Sequence, residues 1–252
     1  MIFNDSLFRN KNILVTGANS GLGLDVCQEI SNLGGAITGV SRSIDKQIFS
    51  KQIKTVSSDL LNTVSIDFSS KDLDFEKFDK NVKYDAVFLS AGVSKVSGFV
   101  QTDEETMESM FDINVIGQLK LLRYLLKKKL VKSNASIVFM SSINGTSLGS
   151  KGHSIYAATK GALNGITMSL ANELSKKRIR VNAIASGLVK TPMFIDNLRL
   201  AGEDSMKEYE KTYPLGFGTP NDVSNLAIFL LSDGARWITG QTYIIDGGHS
   251  IA

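Results

Sequence analysis

The 252-residue chain holds one cysteine, three prolines, one tryptophan and two histidines. A single thiol, Cys27, excludes an intrachain disulfide. Its helical spacing with Val26, Ile30 and Leu33 predicts a small buried apolar residue rather than a reactive one. His153 and His249 stand without a second His, Cys or carboxylate at ligand spacing, so no metal site is expected. No apolar run approaches the about 18 residues of a membrane span, the nearest being 227–231. The opening MIFNDSLFRNKN has no basic segment leading into an apolar one, which together with the lone thiol predicts a cytoplasmic protein. Net charge is only +3. The two clusters of basic residues, Lys127-Lys128-Lys129 and Lys176-Lys177-Arg178, fall near the ends of predicted helices. That reads as solvated termini favoured by the helix dipole, and no nucleic-acid partner is expected.

What the chain does have is 42% hydrophobic and 21% charged residues and 22 glycines, an ordinary globular composition that buries a sizeable core. Its length suits one α/β domain, a class that often runs to about 250 residues. Short apolar runs alternate with longer segments of helical period. The predicted strands are 13–16, 36–40, 63–67, 84–89, 136–140, 181–185 and 242–246, and the predicted helices are 21–33, 44–61, 103–129, 156–175 and 221–231. Such alternation implies βαβ units and a parallel sheet. Gly34 is placed to end the first helix and Asn221 to cap the last. Leu119, Leu122, Leu126 and Leu130, widened by Leu121 and Leu125, form an apolar face suited to a partner as well as to the sheet.

Between the first strand and first helix lies Thr16-Gly17-Ala18-Asn19-Ser20-Gly21-Leu22-Gly23. Glycines let the chain turn sharply and bring backbone N–H groups close to a phosphate, whose charge the helix start favours. A dinucleotide site is expected there. Tyr156 and Lys160 stand four apart, so on a helix they share a face, and the lysine cation favours the tyrosine phenolate.

The Gly-x-x-x-Gly-x-Gly spacing after Thr16 resembles the classical short-chain dehydrogenase/reductase family. The resemblance continues in order through Ser90-Ala91-Gly92, Asn114, Ser141-Ser142, Tyr156-Ala157-Ala158-Thr159-Lys160, Val181-Asn182-Ala183, 187–191, Gly240-Gln241 and Asp246-Gly247-Gly248. It implies a single-domain Rossmann fold over 1–252, a doubly wound seven-stranded parallel sheet with helices on both faces, and a substrate lid around 192–213.

The resemblance also implies roles. Tyr156 would be the general acid toward a carbonyl oxygen in reduction and the general base in oxidation. Ser142, rather than Ser141, would hydrogen-bond that oxygen, since it precedes Ile143-Asn144-Gly145. Lys160 would bind the nicotinamide ribose and lower the tyrosine pKa, and Asn114 would hold a proton-relaying water. The cofactor contacts would be Gly17, Asn19, Ser20, Gly21, Leu22 and Gly23 at the turn, and Ser90, Ala91 and Gly92 after the fourth strand. Tyr156, Lys160, Gly187, Val189 and Thr191 would meet the nicotinamide end. Val40-Ser41-Arg42 ends the second strand without a carboxylate, so Ser41 and Arg42 are read as holding the 2′-phosphate of NADPH/NADP+, with NADH/NAD+ less favoured. Asp67 and Phe68 would meet the adenine, Asp59 being the rival.

Two departures stand out. Leu89-Ser90-Ala91-Gly92 replaces the family's Asn-Asn-Ala-Gly, putting support of the sheet and cofactor in doubt, and Ser186-Gly187 replaces Pro-Gly, loosening the loop to Val189. Met193, Phe194, Ile195, Leu198, Leu200 and Met206 line a substrate site or pack the lid. His153 is placed at the rim and His249 in the tail. The expected activity is NADPH-dependent reduction of a small-molecule ketone to a secondary alcohol, with a 3-oxoacyl thioester as favoured substrate. The rivals are an NAD-linked alcohol, sugar or steroid dehydrogenase and a non-catalytic cofactor-binding sensor. A homotetramer, or else a homodimer, is expected.

Overall fold

A computed structural model describes residues 3–53, 58–195 and 202–252. Seven strands form one sheet: β1 (Asn12–Thr16), β2 (Ala36–Ser41), β3 (Leu61–Ser65), β4 (Tyr84–Leu89), β5 (Val131–Ser142), β6 (Arg180–Ser186) and β7 (Thr242–Ile245). Their order is β3-β2-β1-β4-β5-β6-β7, and every pairing is parallel. The helices are α1 (Gly21–Asn32), α2 (Lys46–Gln52), α3 (Glu104–Phe111), α4 (Gly117–Lys127), α5 (Ser154–Glu173), α6 (Glu203–Glu210) and α7 (Pro220–Leu231).

A sheet covered on both faces needs apolar residues pointing each way along every central strand. In β1, Ile13 and Val15 face a core completed by Val26 and Ile30 of α1 and Val223 and Ala227 of α7. Leu14 faces the opposite core, closed by Leu121 and Leu125 of α4 and Leu163 of α5. Cys27 is buried in the first of these cores, where desolvation pushes its thiol pKa far up. No helix of the described residues is long and apolar enough to cross a membrane.

Four expectations change. The helix foreseen over 44–61 stops at Gln52, and Leu61 already begins β3, paired with Ile37. Asp45 caps its start by accepting the Ile48 N–H, but Ile48 is 62% exposed and Phe49 is the one buried helix residue. A helix that buries one side chain has little tertiary packing to extend it. The last helix starts one turn-position earlier than placed: its cap is Thr219, whose N–H and hydroxyl both donate to Asp222 Oδ2 at 2.7 Å, leaving Asn221 inside the first turn. The segment foreseen as one helix over 103–129 is α3 and α4 joined by a π turn, Asp112–Ile116.

The leucine face of α4 is the fourth. Leu121, Leu122 and Leu125 are buried in their own subunit, with Leu119 and Leu126 packed on the same core. Most of the stripe is thus core of its own chain, and only Leu119 and Leu126 stay part-exposed at its edge. Leu122→Glu therefore puts a carboxylate where the side chain is 2% exposed, and stability in a urea titration should fall by at least about 3 kcal/mol. Met168→Glu, at a position on α5 that is 62% exposed, should shift it by less than about 0.5 kcal/mol. Equal midpoints for the two would contradict the packing described.

Candidate active site

β1 delivers Thr16 to the carboxyl edge of the sheet, and the chain then turns through Gly17 at φ +68° and Gly21 at φ +52° into α1. A Cβ at Gly23 would collide with the Gly17 carbonyl and lie 2.9 Å from Ser90 Oγ, so only glycine lets the helix start so close to the turn. The cap residue Ser20 makes no side-chain bond to the helix, and the first turn carries no acidic residue. These free N–H groups are suited to an anion, and they fit a dinucleotide pyrophosphate.

The loop after β4 is fastened to this turn by two hydroxyls. Thr16 Oγ1 accepts from Ser90 N–H at 2.9 Å and Ala91 N–H at 3.0 Å, while Ser90 Oγ donates to the Thr16 carbonyl at 2.6 Å. The support left in doubt by Leu89-Ser90 is thus provided by other groups, among them the buried amide of Gln118, a residue that sequence reasoning missed. Its signal was a polar side chain at 118 on the stripe continued by Leu121 and Leu125.

At the end of β2, Ser41 is buried and its Oγ accepts the Asn19 N–H at 3.3 Å, and Asn19 Nδ2 donates to the Ser43 carbonyl at 3.0 Å. Arg42 beside them is exposed. Asp67 lies two residues beyond β3, not at its end as foreseen. The Ser69 hydroxyl at 2.7 Å and N–H at 3.0 Å, with Arg42 assisting, hold its carboxyl below the usual range. Phe68 is buried, and a Cβ on Gly117 would meet it at 2.8 Å. Asp59 sits in the 3-10 turn Ser58–Leu60 before β3.

The other end of the cleft is built from β5 and α5. β5 ends at Ser142, and α5 carries Tyr156 and Lys160 one turn apart. Burial pushes the Tyr156 phenol up, opposed by a hydrogen bond with Ser142. Burial lowers Lys160 to about 8. Its Nζ donates to the Met140 carbonyl at 2.7 Å and lies 5.6 Å from the Tyr156 ring centre. Ser141 Oγ donates to the Lys160 carbonyl at 3.0 Å, which ties β5 to α5.

Asn114 is fully buried in the π turn. Its Oδ1 accepts the Val93 N–H at 2.7 Å, and Nδ2 donates to the Val93 carbonyl at 2.9 Å and to Thr159 Oγ1 at 3.0 Å. Both amide hydrogens are committed, so the side chain acts as a strut between the β4 loop and α5. The Asn114 backbone carbonyl accepts from Gln118 Nε2 at 2.9 Å.

Both ends open into one cleft of about 900 Å³ that is lined by Gly17, Gly92, Ser142, Tyr156, Lys160 and Thr191 among others. Gly187 N–H donates to the Ile245 carbonyl at 2.9 Å and Leu188 N–H to the Tyr213 hydroxyl at 3.2 Å, so the loop from β6 is tied despite its missing proline. Val189 bridges to Gly218. Of the lid residues, Phe194 and Met206 pack with Tyr213 and Phe217, whereas Met193 and Ile195 are exposed. Leu198 and Leu200 lie outside the described residues.

His153 lines the cleft, edge-on to Tyr156 with ring centres 6.1 Å apart. His249 corrects its placement in a tail: it lines the cleft too, stacked on Tyr213 at 4.1 Å with its Nε2 3.3 Å from the Tyr209 hydroxyl. Gly247 and Gly248, both at positive φ, turn the chain back over Pro214. Asp246 then fixes the turn by accepting from the N–H groups of Gly248 and Ser250.

The profile of the family described as Enoyl-(Acyl carrier protein) reductase matches residues 17–250. The 3-oxoacyl-(acyl-carrier-protein) reductase FabG of Rickettsia felis is 32% identical over 239 residues, covering 94% of this chain and 96% of its own. The chain belongs to the classical short-chain dehydrogenase/reductase family. Among solved structures, a short-chain dehydrogenase/reductase of Brucella melitensis superposes with TM-score 0.86 at 27% identity, over 99% of this chain and 100% of that one. A putative 2-deoxy-d-gluconate 3-dehydrogenase of Agrobacterium tumefaciens with bound NADP gives TM-score 0.81 at 25% identity, over 98% and 99%. The protein is accordingly an oxidoreductase that acts between CH–OH and C=O groups with a nicotinamide cofactor.

Proposed function

We propose that this short-chain dehydrogenase/reductase uses NADPH to reduce a ketone to a secondary alcohol, with a 3-oxoacyl thioester as its favoured substrate. The observation that carries the reading is the half-buried Tyr156 phenol, hydrogen-bonded with Ser142 and backed by Lys160, in the cleft that the glycine turn also lines. Bound NADPH supplies the hydride that goes to the carbonyl carbon. The protein's own part is to place the carbonyl oxygen and deliver a proton to it.

Burial keeps the Tyr156 phenol protonated at neutral pH, the form a general acid needs. Ser142 Oγ donates to the carbonyl oxygen beside the tyrosine and holds it in line. As the proton leaves Tyr156, the ammonium of Lys160 stabilises the phenolate. A water seated on the Asn114 carbonyl returns a proton by way of Lys160.

Arg42 supports the cofactor choice. It is exposed at the end of β2 beside Ser41, where Ser41-Arg42-Ser43 offers donors and no carboxylate, and a neighbouring structure of the family has NADP bound. Resemblance to FabG supports the acyl substrate, as does the apolar wall contributed by Phe194 and Met206. Assembly is proposed as a homotetramer or homodimer. With most of the α4 stripe buried in its own chain, its support lies in β7, the edge strand of the sheet, where Ile244 is 46% exposed, an edge that a two-fold axis would close.

An NADPH-oxidation screen over 3-oxoacyl thioesters, keto sugars and diketones tests the substrate class, and turnover confined to keto sugars would reject the thioester. Tyr156→Phe should lower kcat about 10²- to 10⁴-fold with NADPH binding nearly unchanged; retention of more than about a tenth of the activity would remove Tyr156 from the role. Arg42→Ala should weaken NADPH binding about ten- to a hundredfold and leave NADH binding little altered, whereas equal affinity of the unsubstituted protein for both cofactors would sink the preference. Sedimentation equilibrium should show a species of two or four chains, and a stable 27.3 kDa monomer at micromolar concentration would exclude the assembly.

A further inference from the structure

Gln118, the second residue of α4, is fully buried. Its neighbours on the same helix face, Leu121 and Leu125, fill the core with hydrocarbon, and a leucine or methionine at 118 would continue that packing without a polar group to satisfy. The amide is nevertheless fully used. Oε1 accepts the Thr16 hydroxyl at 3.2 Å, and Nε2 donates to the Ala91 carbonyl at 2.7 Å and the Asn114 carbonyl at 2.9 Å.

The first of these bonds decides the direction of the Thr16 hydroxyl. That group has a single hydrogen. Donating it to Gln118 turns both lone pairs toward Ser90 N–H and Ala91 N–H, which they accept at 2.9 and 3.0 Å. The other two bonds reach the strand-end loop and the π turn. From Asn114 the connection continues through Thr159 Oγ1 at 3.0 Å, and Thr159 Oγ1 donates to the Tyr156 carbonyl at 2.7 Å. A chain of buried hydrogen bonds therefore runs from the glycine turn through Gln118 to the helix that carries Tyr156 and Lys160.

We propose that Gln118 is a positioning residue that sets the cofactor turn and the Tyr156-Lys160 helix in register with each other, through Thr16, Ala91 and Asn114. It touches neither substrate nor cofactor. Its effect is to orient the Thr16 hydroxyl and to hold the Asn114 carbonyl, and so to fix the distance between the two halves of the cleft. The proposal rests on the dehydrogenase reading for its catalytic consequence, while its structural core does not.

Two substitutions test it. Gln118→Met keeps the volume and removes all three bonds. Hydrogen exchange at the Ser90 and Ala91 amides of the cofactor-free protein should quicken by at least about tenfold, the dissociation constant for NADPH should rise by a similar factor, and kcat at saturating NADPH should also fall. Gln118→Glu retains an acceptor for Thr16 but donates to Ala91 or Asn114 only when protonated. Burial against two carbonyl oxygens favours that neutral form, so its activity should approach the wild type at low pH and then decline at a lower pH than the wild type and Gln118→Met, whose decline follows the loss of the Lys160 charge near 8.

Exchange rates at Ser90 and Ala91, NADPH affinity and kcat all within twofold of the wild type in Gln118→Met would overturn the proposal, even with a lowered melting temperature. Should that variant fail to fold, Gln118→Glu decides, and a pH profile parallel to the wild type overturns it. A wild-type protein that binds no nicotinamide cofactor would defeat the proposed function and leave the exchange measurement to decide Gln118.

Discussion

Parallel pairing of β1 with β4 at the centre of the sheet is the constraint from which the site follows. The chain leaves β1 on one side to build β2 and β3, then returns to the other side to build β4 to β7. Connections on the two sides diverge from that point, and a crevice opens above the carboxyl ends of the strands. Because every strand is parallel, the glycine turn after β1, the Ser90 loop after β4, Ser142 at the end of β5 and Gly187 after β6 all arrive at the same edge. Residues far apart in the chain become one cleft without any of them having to reach.

Close approach at that edge carries its own requirements. The start of α1 lies so near the turn that Gly23 has no room for a side chain, and Gly145 presses on the backbone of Lys160 and Gly161 in the same way, which seats the loop after Ser142 against α5. Polar groups shut into such contacts must find partners within the protein. Thr16, Asn114 and Gln118 do so for one another and for the Ser90-Ala91 backbone, so the zone between the glycine turn and the Tyr156-Lys160 helix is a bonded one.

Local features were the legible ones. The glycine turn and the Tyr156-Lys160 spacing each need only a few consecutive residues, and the buried strands declare themselves by apolar runs that the two cores then divide between them. What was hidden depended on residues distant in the chain. Whether 44–61 stays helical was decided by what Ile48 and Phe49 meet, and only Phe49 meets the core. The α4 leucines announced an apolar face but not the surface that covers it. His249 reaches the cleft because two positive-φ glycines fold the chain end back, and Gln118 belongs to no motif, since Thr16 and Ala91, two of its three partners, stand far from it in the chain.

The stacking of His249 on Tyr213 has a further meaning for how such a chain can diversify. The groups proposed to move a proton, Ser142, Tyr156 and Lys160, stand on β5 and α5, held within the sheet and its helices, whereas the wall opposite them is assembled from the segment after Ser142, the stretch around Phe194 and Met206, and His249. That wall meets the rest of the molecule through ring contacts and a handful of loop hydrogen bonds. Recognition is thereby separable from reaction: exchanges in the final turn of the polypeptide can reshape what the cleft admits while the proton-transfer geometry stays as it is.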